Sequence, residues 1–180
     1  MKNVIIAGCS RCGKTTLSKY LKEKYNLNHY KMDSIKRGID KNFWDHYKDD
    51  WVIVSPHMAH LINQIINERE DEYLVIDTCH LYPEDIFKYN IKDTIIVFLG
   101  HDSISVDEKL KQIRKYDKHT WTNFKDDDYM KISTEEGIMY SKKAKEQCEK
   151  YNIKYFDTSY NFKEVMKEVE RYIEDRLWKK

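Results

Sequence analysis

Two prolines and five glycines are all that 180 residues hold, and that scarcity leaves little material for long flexible linkers. Charge of one sign is missing too: 32 Lys and Arg stand against 31 Asp and Glu, a formal net charge of +1. Such a balance gives no field for nucleic acid or an anionic membrane surface. The charges are interspersed, which describes a solvated surface rather than a basic groove. No apolar run approaches the ~20 residues of a membrane span. The first apolar segment is short and reads as a strand, so no signal peptide is expected. Four cysteines are too few for a disulfide framework in a chain of this length, which points to a reducing, cytoplasmic setting. No repeat or low-complexity tract interrupts the chain. What remains is 41% hydrophobic and 35% charged, enough for one domain over residues 1–180 with a proper core.

Two of the five glycines fall close together. The run Gly8-Cys9-Ser10-Arg11-Cys12-Gly13-Lys14-Thr15, followed by Thr16, reads G-x-x-x-x-G-K-T, the Walker A signature of a phosphate-binding loop. The glycines permit backbone turns that a Cβ would block. The loop N–H groups converge on a phosphate, and the following helix aims its positive end at the same place. Lys14 offers a mobile cation for the outer phosphates of ATP, and Thr15 a hydroxyl for Mg²⁺. Gly8 to Thr16 are therefore the candidate nucleotide cradle. The context is right for the motif. Asn3-Val4-Ile5-Ile6-Ala7 is an apolar, β-branched run suited to a buried parallel strand, and Leu17, Tyr20, Leu21 and Tyr25 recur at helical spacing.

Strands are expected at about 2–7, 27–32, 73–77, 94–100 and 153–157, with the first helix over about 14–25. Residues 34–51 are polar and aromatic and receive no assignment. Ser55-Pro56 reads as a helix cap followed by proline at the first helical position, with Met58, Leu61, Ile62, Ile65 and Ile66 as the apolar stripe. A helix carrying Ile104, Leu110 and Ile113 follows the fourth strand. Residues 117–132 are polar, and Asp126 to Asp128 read as a solvated tip. Ser133-Thr134-Glu135-Glu136 opens a further helix, and Phe162, Val165, Met166, Val169, Tyr172 and Ile173 mark an amphipathic closing one. Strands alternating with helices imply an α/β fold whose parallel sheet is covered on both faces. Ligands of such sheets sit beyond the strand C-terminal ends, where Gly8, Asp33, Asp77 and Gly100 all fall.

Asp77 ends a strand of the form h-h-h-h-D; it either helps hold Mg²⁺ through its water shell or belongs to a turn. Asp33 either takes the proton of a substrate hydroxyl, helps hold Mg²⁺, or caps a helix. Arg37 lies one turn beyond Asp33 on the same helix face; it either grips an anionic group of the substrate or sits in solvent. Cys9 and Cys12 form C-S-R-C, but both are variable positions of the loop and no second C-x-x-C exists. Phe43, Trp44, Tyr47 and Trp51 either stack on a flat acceptor or join the core.

Together these residues resemble the P-loop small-molecule and nucleotide kinases of the adenylate kinase-like group, which includes shikimate, gluconate and uridine kinases. The resemblance covers most of the chain in order of elements and is specific at Gly8 to Thr15. It implies a three-layer fold with a five-stranded parallel sheet in the order 2-3-1-4-5. It implies that Asp33 faces the phosphate acceptor, that Asp77 assists magnesium, and that an acceptor-binding segment spans about 34–70. It further implies a helical lid over about 101–149, whose single arginine, Arg114, closes over the phosphates beside Lys109, Lys111, Lys115 and Lys118. Tyr155-Phe156-Asp157-Thr158-Ser159 resembles the segment near which such kinases hold the base. One departure stands out: after the third strand this chain has Asp77-Thr78-Cys79-His80-Leu81-Tyr82-Pro83 where adenylate kinases proper carry a G-F-P-R-like stretch. The expectation is an ATP-dependent kinase of a small metabolite, nucleoside or nucleotide, with catalytic Lys14, Asp33 and Arg114 and no nucleic-acid or membrane partner. The alternative is a nucleotide-binding regulatory ATPase or switch, although the N-K-x-D guanine signature is absent.

Overall fold

The computed structural model describes residues 1–38, 50–69, 71–116 and 124–179. β1 (Asn3–Gly8), β2 (Asn28–Lys31), β3 (Leu74–Thr78), β4 (Thr94–Gly100) and β5 (Lys154–Asp157) form one sheet in the order β2-β3-β1-β4-β5. Every pairing is parallel, as the resemblance implies. β1 lies at the centre, with Ile6 opposite Asp77 on one side and Gly8 opposite Leu99 on the other. Val4, Ile5, Ile6 and Ala7 are wholly buried, which is why this strand reads as an unbroken apolar run.

The described residues also form α1 (Lys14–Tyr25), α2 (Met32–Gly38), α3 (Trp51–Glu68), α4 (Pro83–Phe87), α5 (Val106–Tyr116), α6 (Asp127–Tyr151) and α7 (Phe162–Leu177). α1 and α7 lie side by side on one face. Tyr20 donates to Glu170, Lys24 pairs with Glu174, and Tyr25 donates to Glu174 at 2.7 Å. On the other face α6 packs on β4 and β5, with α4 between α6 and α3. The result is three layers around one continuous core.

Two helices begin earlier than expected. α3 starts at Trp51, where the Asp50 carboxylate accepts from the N–H of Val52 and of Ile53 at 3.0 and 3.2 Å. Ser55 is therefore a buried interior residue, donating to Asp85 Oδ2 at 2.6 Å and accepting from Tyr82 N at 2.7 Å. Pro56 sits inside the helix, and the carbonyl it leaves without an N–H belongs to the exposed Val52. α6 starts at Asp127, capped by the Asp126 carboxylate on Tyr129 N at 2.7 Å. The acidic run 126–128 is thus a cap and first turn, its charges at the positive end of the helix.

Candidate functional site

The loop between β1 and α1 is closed to side chains at both glycines. Gly8 has φ +145°, and a Cβ there would lie 1.9 Å from the Leu99 carbonyl oxygen on β4. Gly13 has φ +98°, and a Cβ there would meet the Phe162 ring at 2.9 Å. Arg11 between them also has a positive φ, 63°. α1 starts on Gly13 without any side-chain cap, so its first N–H groups have no partner of that kind. That is the backbone arrangement that binds anions.

Lys14 is buried, and its ammonium donates to Cys9 O at 2.5 Å with Cys12 Sγ at 3.7 Å. Burial alone would lower its pKa; Cys12, Cys79, Cys9 and Asp33 outweigh that and hold it above the ordinary lysine value. Two further buried groups surround the loop. Lys109 of α5 donates to Arg11 O at 3.2 Å, and burial holds its pKa below the ordinary value. His101, just past β4, has Nδ1 at 3.2 Å from Cys9 Sγ. Burial first, and then Lys109 and Lys14, push its pKa down to about 3, so the ring is neutral. Ser141 of α6 donates to Cys9 Sγ at 3.2 Å and accepts from His101 N at 3.1 Å.

Two cavities meet at this loop. A cleft of about 820 Å³ runs from Gly13 to Thr16 past Lys109 and Gln112 to Thr158–Phe162. The β5–α7 turn that forms its far wall is fixed: Thr158 N donates to Gly100 O at 2.7 Å, and Gln112 Nε2 to Ser159 O at 3.0 Å. A smaller cavity of about 230 Å³ lies on the other side of the loop, among Cys9, Ser10, Trp51, His80, His101 and the start of α6. The Trp51 ring centre lies 4.5 Å from that of His80 and 4.3 Å from that of Tyr140, tilted to both.

Asp33 falls in the first turn of α2 rather than at its cap; its Oδ2 accepts from Cys79 Sγ at 3.9 Å, and its charge reaches Lys14. Asp77 lies on β3, buried, with Oδ2 making no hydrogen bond and His29 Nε2 at 3.5 Å. Thr15 and Thr16 line the large cleft. Arg114 donates from its guanidinium to Asp127 Oδ1 at 2.6 Å and to Lys125 O at 3.2 Å; like Asp33 and Asp77, it borders neither cavity. The Arg37 side chain lies outside the described residues, as do Phe43, Trp44, Tyr47 and Lys118. His101 and Ser141 join the site without any motif to announce them, whereas Lys109 is one of the lid lysines named above and reaches the loop. The position of His101 directly after the most hydrophobic strand, at the ligand edge of the sheet, was the available signal. Among the described residues no group of three or more His, Cys, Asp or Glu is placed to hold a metal ion.

A family model described as RNA helicase matches residues 4–98, from β1 to β4 and more than half of the chain. The chain belongs to the P-loop NTPase family that this model describes. The match ends within β4, so it covers the loop and the first cavity walls of this P-loop NTPase but neither α5 nor α6. No curated protein matches its sequence. Among solved structures, this P-loop NTPase is similar to a shikimate kinase from Acinetobacter baumannii in complex with shikimate, at TM-score 0.62 and 13% identity. The match covers 99% of this chain and 96% of that one. A gluconokinase from Sinorhizobium meliloti 1021 gives TM-score 0.62 at 13% identity, covering 97% and 94%. A shikimate kinase from Bacteroides thetaiotaomicron gives 0.57 at 16%, covering 96% and 98%. These likenesses establish the P-loop kinase fold.

Proposed function

We propose that the protein is an ATP-dependent phosphotransferase acting on a small-molecule acceptor. The observation that carries this reading is the loop's place between two cavities of unequal size, one able to take a nucleotide and one a small acceptor. In this reading the loop amides of Gly8 to Thr16 and the Lys14 ammonium hold the donor phosphates, and the base lies toward Thr158–Phe162. Asp33 receives the acceptor's hydroxyl proton, and Arg37 and the segment 34–70 surround the acceptor. Residues 101–149 form the lid, and Arg114 steadies its closure through α6. Thr15 and Asp77 would hold Mg²⁺. Their donors suit the ion: hydroxyl and carboxylate oxygens are hard ligands, and Asp77 Oδ2 is buried without a hydrogen bond. When bound, the ion neutralises phosphate charge.

The test is a panel of hydroxylated acceptors, shikimate and gluconate among them, incubated with Mg-ATP and read by ADP release. Acceptor-dependent release is expected. Lys14→Ala should lose nucleotide affinity. Asp33→Asn should keep it while transfer falls by about 10²–10⁴-fold, the range of general-base contributions; intact transfer would remove Asp33 from that role. The helicase description of the family model favours a second reading, ATP hydrolysis coupled to RNA. Hydrolysis stimulated by RNA and indifferent to every acceptor would decide for it.

A further inference from the structure

We propose that Arg11, within the phosphate-binding loop itself, is a catalytic residue whose guanidinium touches the phosphoryl group in transit. The proposal rests on the phosphotransferase reading and adds to it. Of the described residues only Arg11 and Ile113 border both cavities, and only Arg11 is charged. A group passing from donor to acceptor crosses the boundary that this residue occupies.

The backbone supports the same conclusion. Arg11 has φ +63°, a conformation that glycine adopts freely and a side chain resists. The other positive-φ positions of the loop, Gly8 and Gly13, are glycines. Strain kept at a ligand loop marks a side chain with a task there. Lys109, itself buried, anchors the residue by its bond to Arg11 O at 3.2 Å. The guanidinium therefore springs from a fixed point.

In the step, the bond between the terminal phosphorus and its bridging oxygen breaks, and the electron pair stays on the departing ADP oxygen. A new bond forms between that phosphorus and the acceptor oxygen, whose proton goes to Asp33. The moving group carries its charge on three equatorial oxygens. A planar guanidinium with five donors can pair with two of them at once, and arginines so placed raise rates about 10³-fold or more.

Arg11→Gly separates this role from a structural one, because glycine suits the backbone. The variant should melt at or above the wild-type temperature and bind MgADP within about threefold of wild type. Trapping of MgADP with aluminium fluoride, a mimic of the phosphoryl group in transit, should weaken by about 100-fold or more. Arg11→Lys should fall between. Undiminished trapping by Arg11→Gly overturns the proposal. So does a lower melting temperature with MgADP affinity and trapping lost in parallel, since that is a loop-building role. If wild-type protein itself fails to bind MgADP, the phosphotransferase reading falls first and Arg11 falls with it.

Discussion

His101 illustrates what burial does to a titratable group. It is 3% exposed, and its pKa of about 3 lies below the ordinary 6.5. The unfolded chain therefore binds a proton between those values while the folded chain does not. Stability is greatest above pH 6.5 and is lost as pH falls toward 3. At pH 5 this one group removes about 2 kcal/mol. Denaturant midpoints at pH 7.5 and pH 5 should differ in wild type, and the difference should shrink by about that amount in His101→Gln. Equal pH dependence in the two proteins would contradict the account. At this scale the loop residues were legible because G-x-x-x-x-G-K-T fixes them by spacing. His101 has no such spacing; it reaches Cys9 of the loop from 92 positions away, which no local pattern encodes.

Helices α3 and α6 show how neighbouring caps compete. The expected starts were Ser55 and Ser133; in the structure each helix is capped by an earlier aspartate, Asp50 and Asp126. In α3 the later candidate is drawn into the core, where Ser55 bridges Asp85 and the Tyr82 N–H. Asp50→Ala should cost about 1 kcal/mol, the usual loss for an exposed cap. Ser55→Ala should cost more, about 2–3 kcal/mol, because it leaves buried polar partners unsatisfied. Urea unfolding of both variants decides the matter, and the reverse order would return Ser55 to the cap. The 14–25 helix and the 94–100 strand matched their patterns residue for residue, since apolar spacing alone defines them. α4, five residues long, is too short to show a period. β2, with the sequence Asn-His-Tyr-Lys, is a half-polar edge strand that lies within the strand expected at about 27–32.

For the whole molecule the alternation of strands and helices was enough to predict a parallel sheet and the edge where ligands gather. The two cavities were not predictable, because their walls come from α5, α6 and the β5–α7 turn meeting across the loop. Binding at that edge should stabilise the entire fold. Mg-ATP at about 100 times its dissociation constant should add about 2.7 kcal/mol, seen as a higher melting temperature in wild type and as no shift in Lys14→Ala. A wild-type melting curve unmoved by saturating Mg-ATP would count against the nucleotide site. The strand order also carries a biosynthetic consequence. β1 is made first, yet its partners are Val75 to Thr78 and Thr94 to Leu99. A nascent chain must therefore carry its most water-averse segment unsheltered until translation has passed Leu99. Chaperone demand should peak in that interval, when nothing in the emerging chain can yet grip a nucleotide.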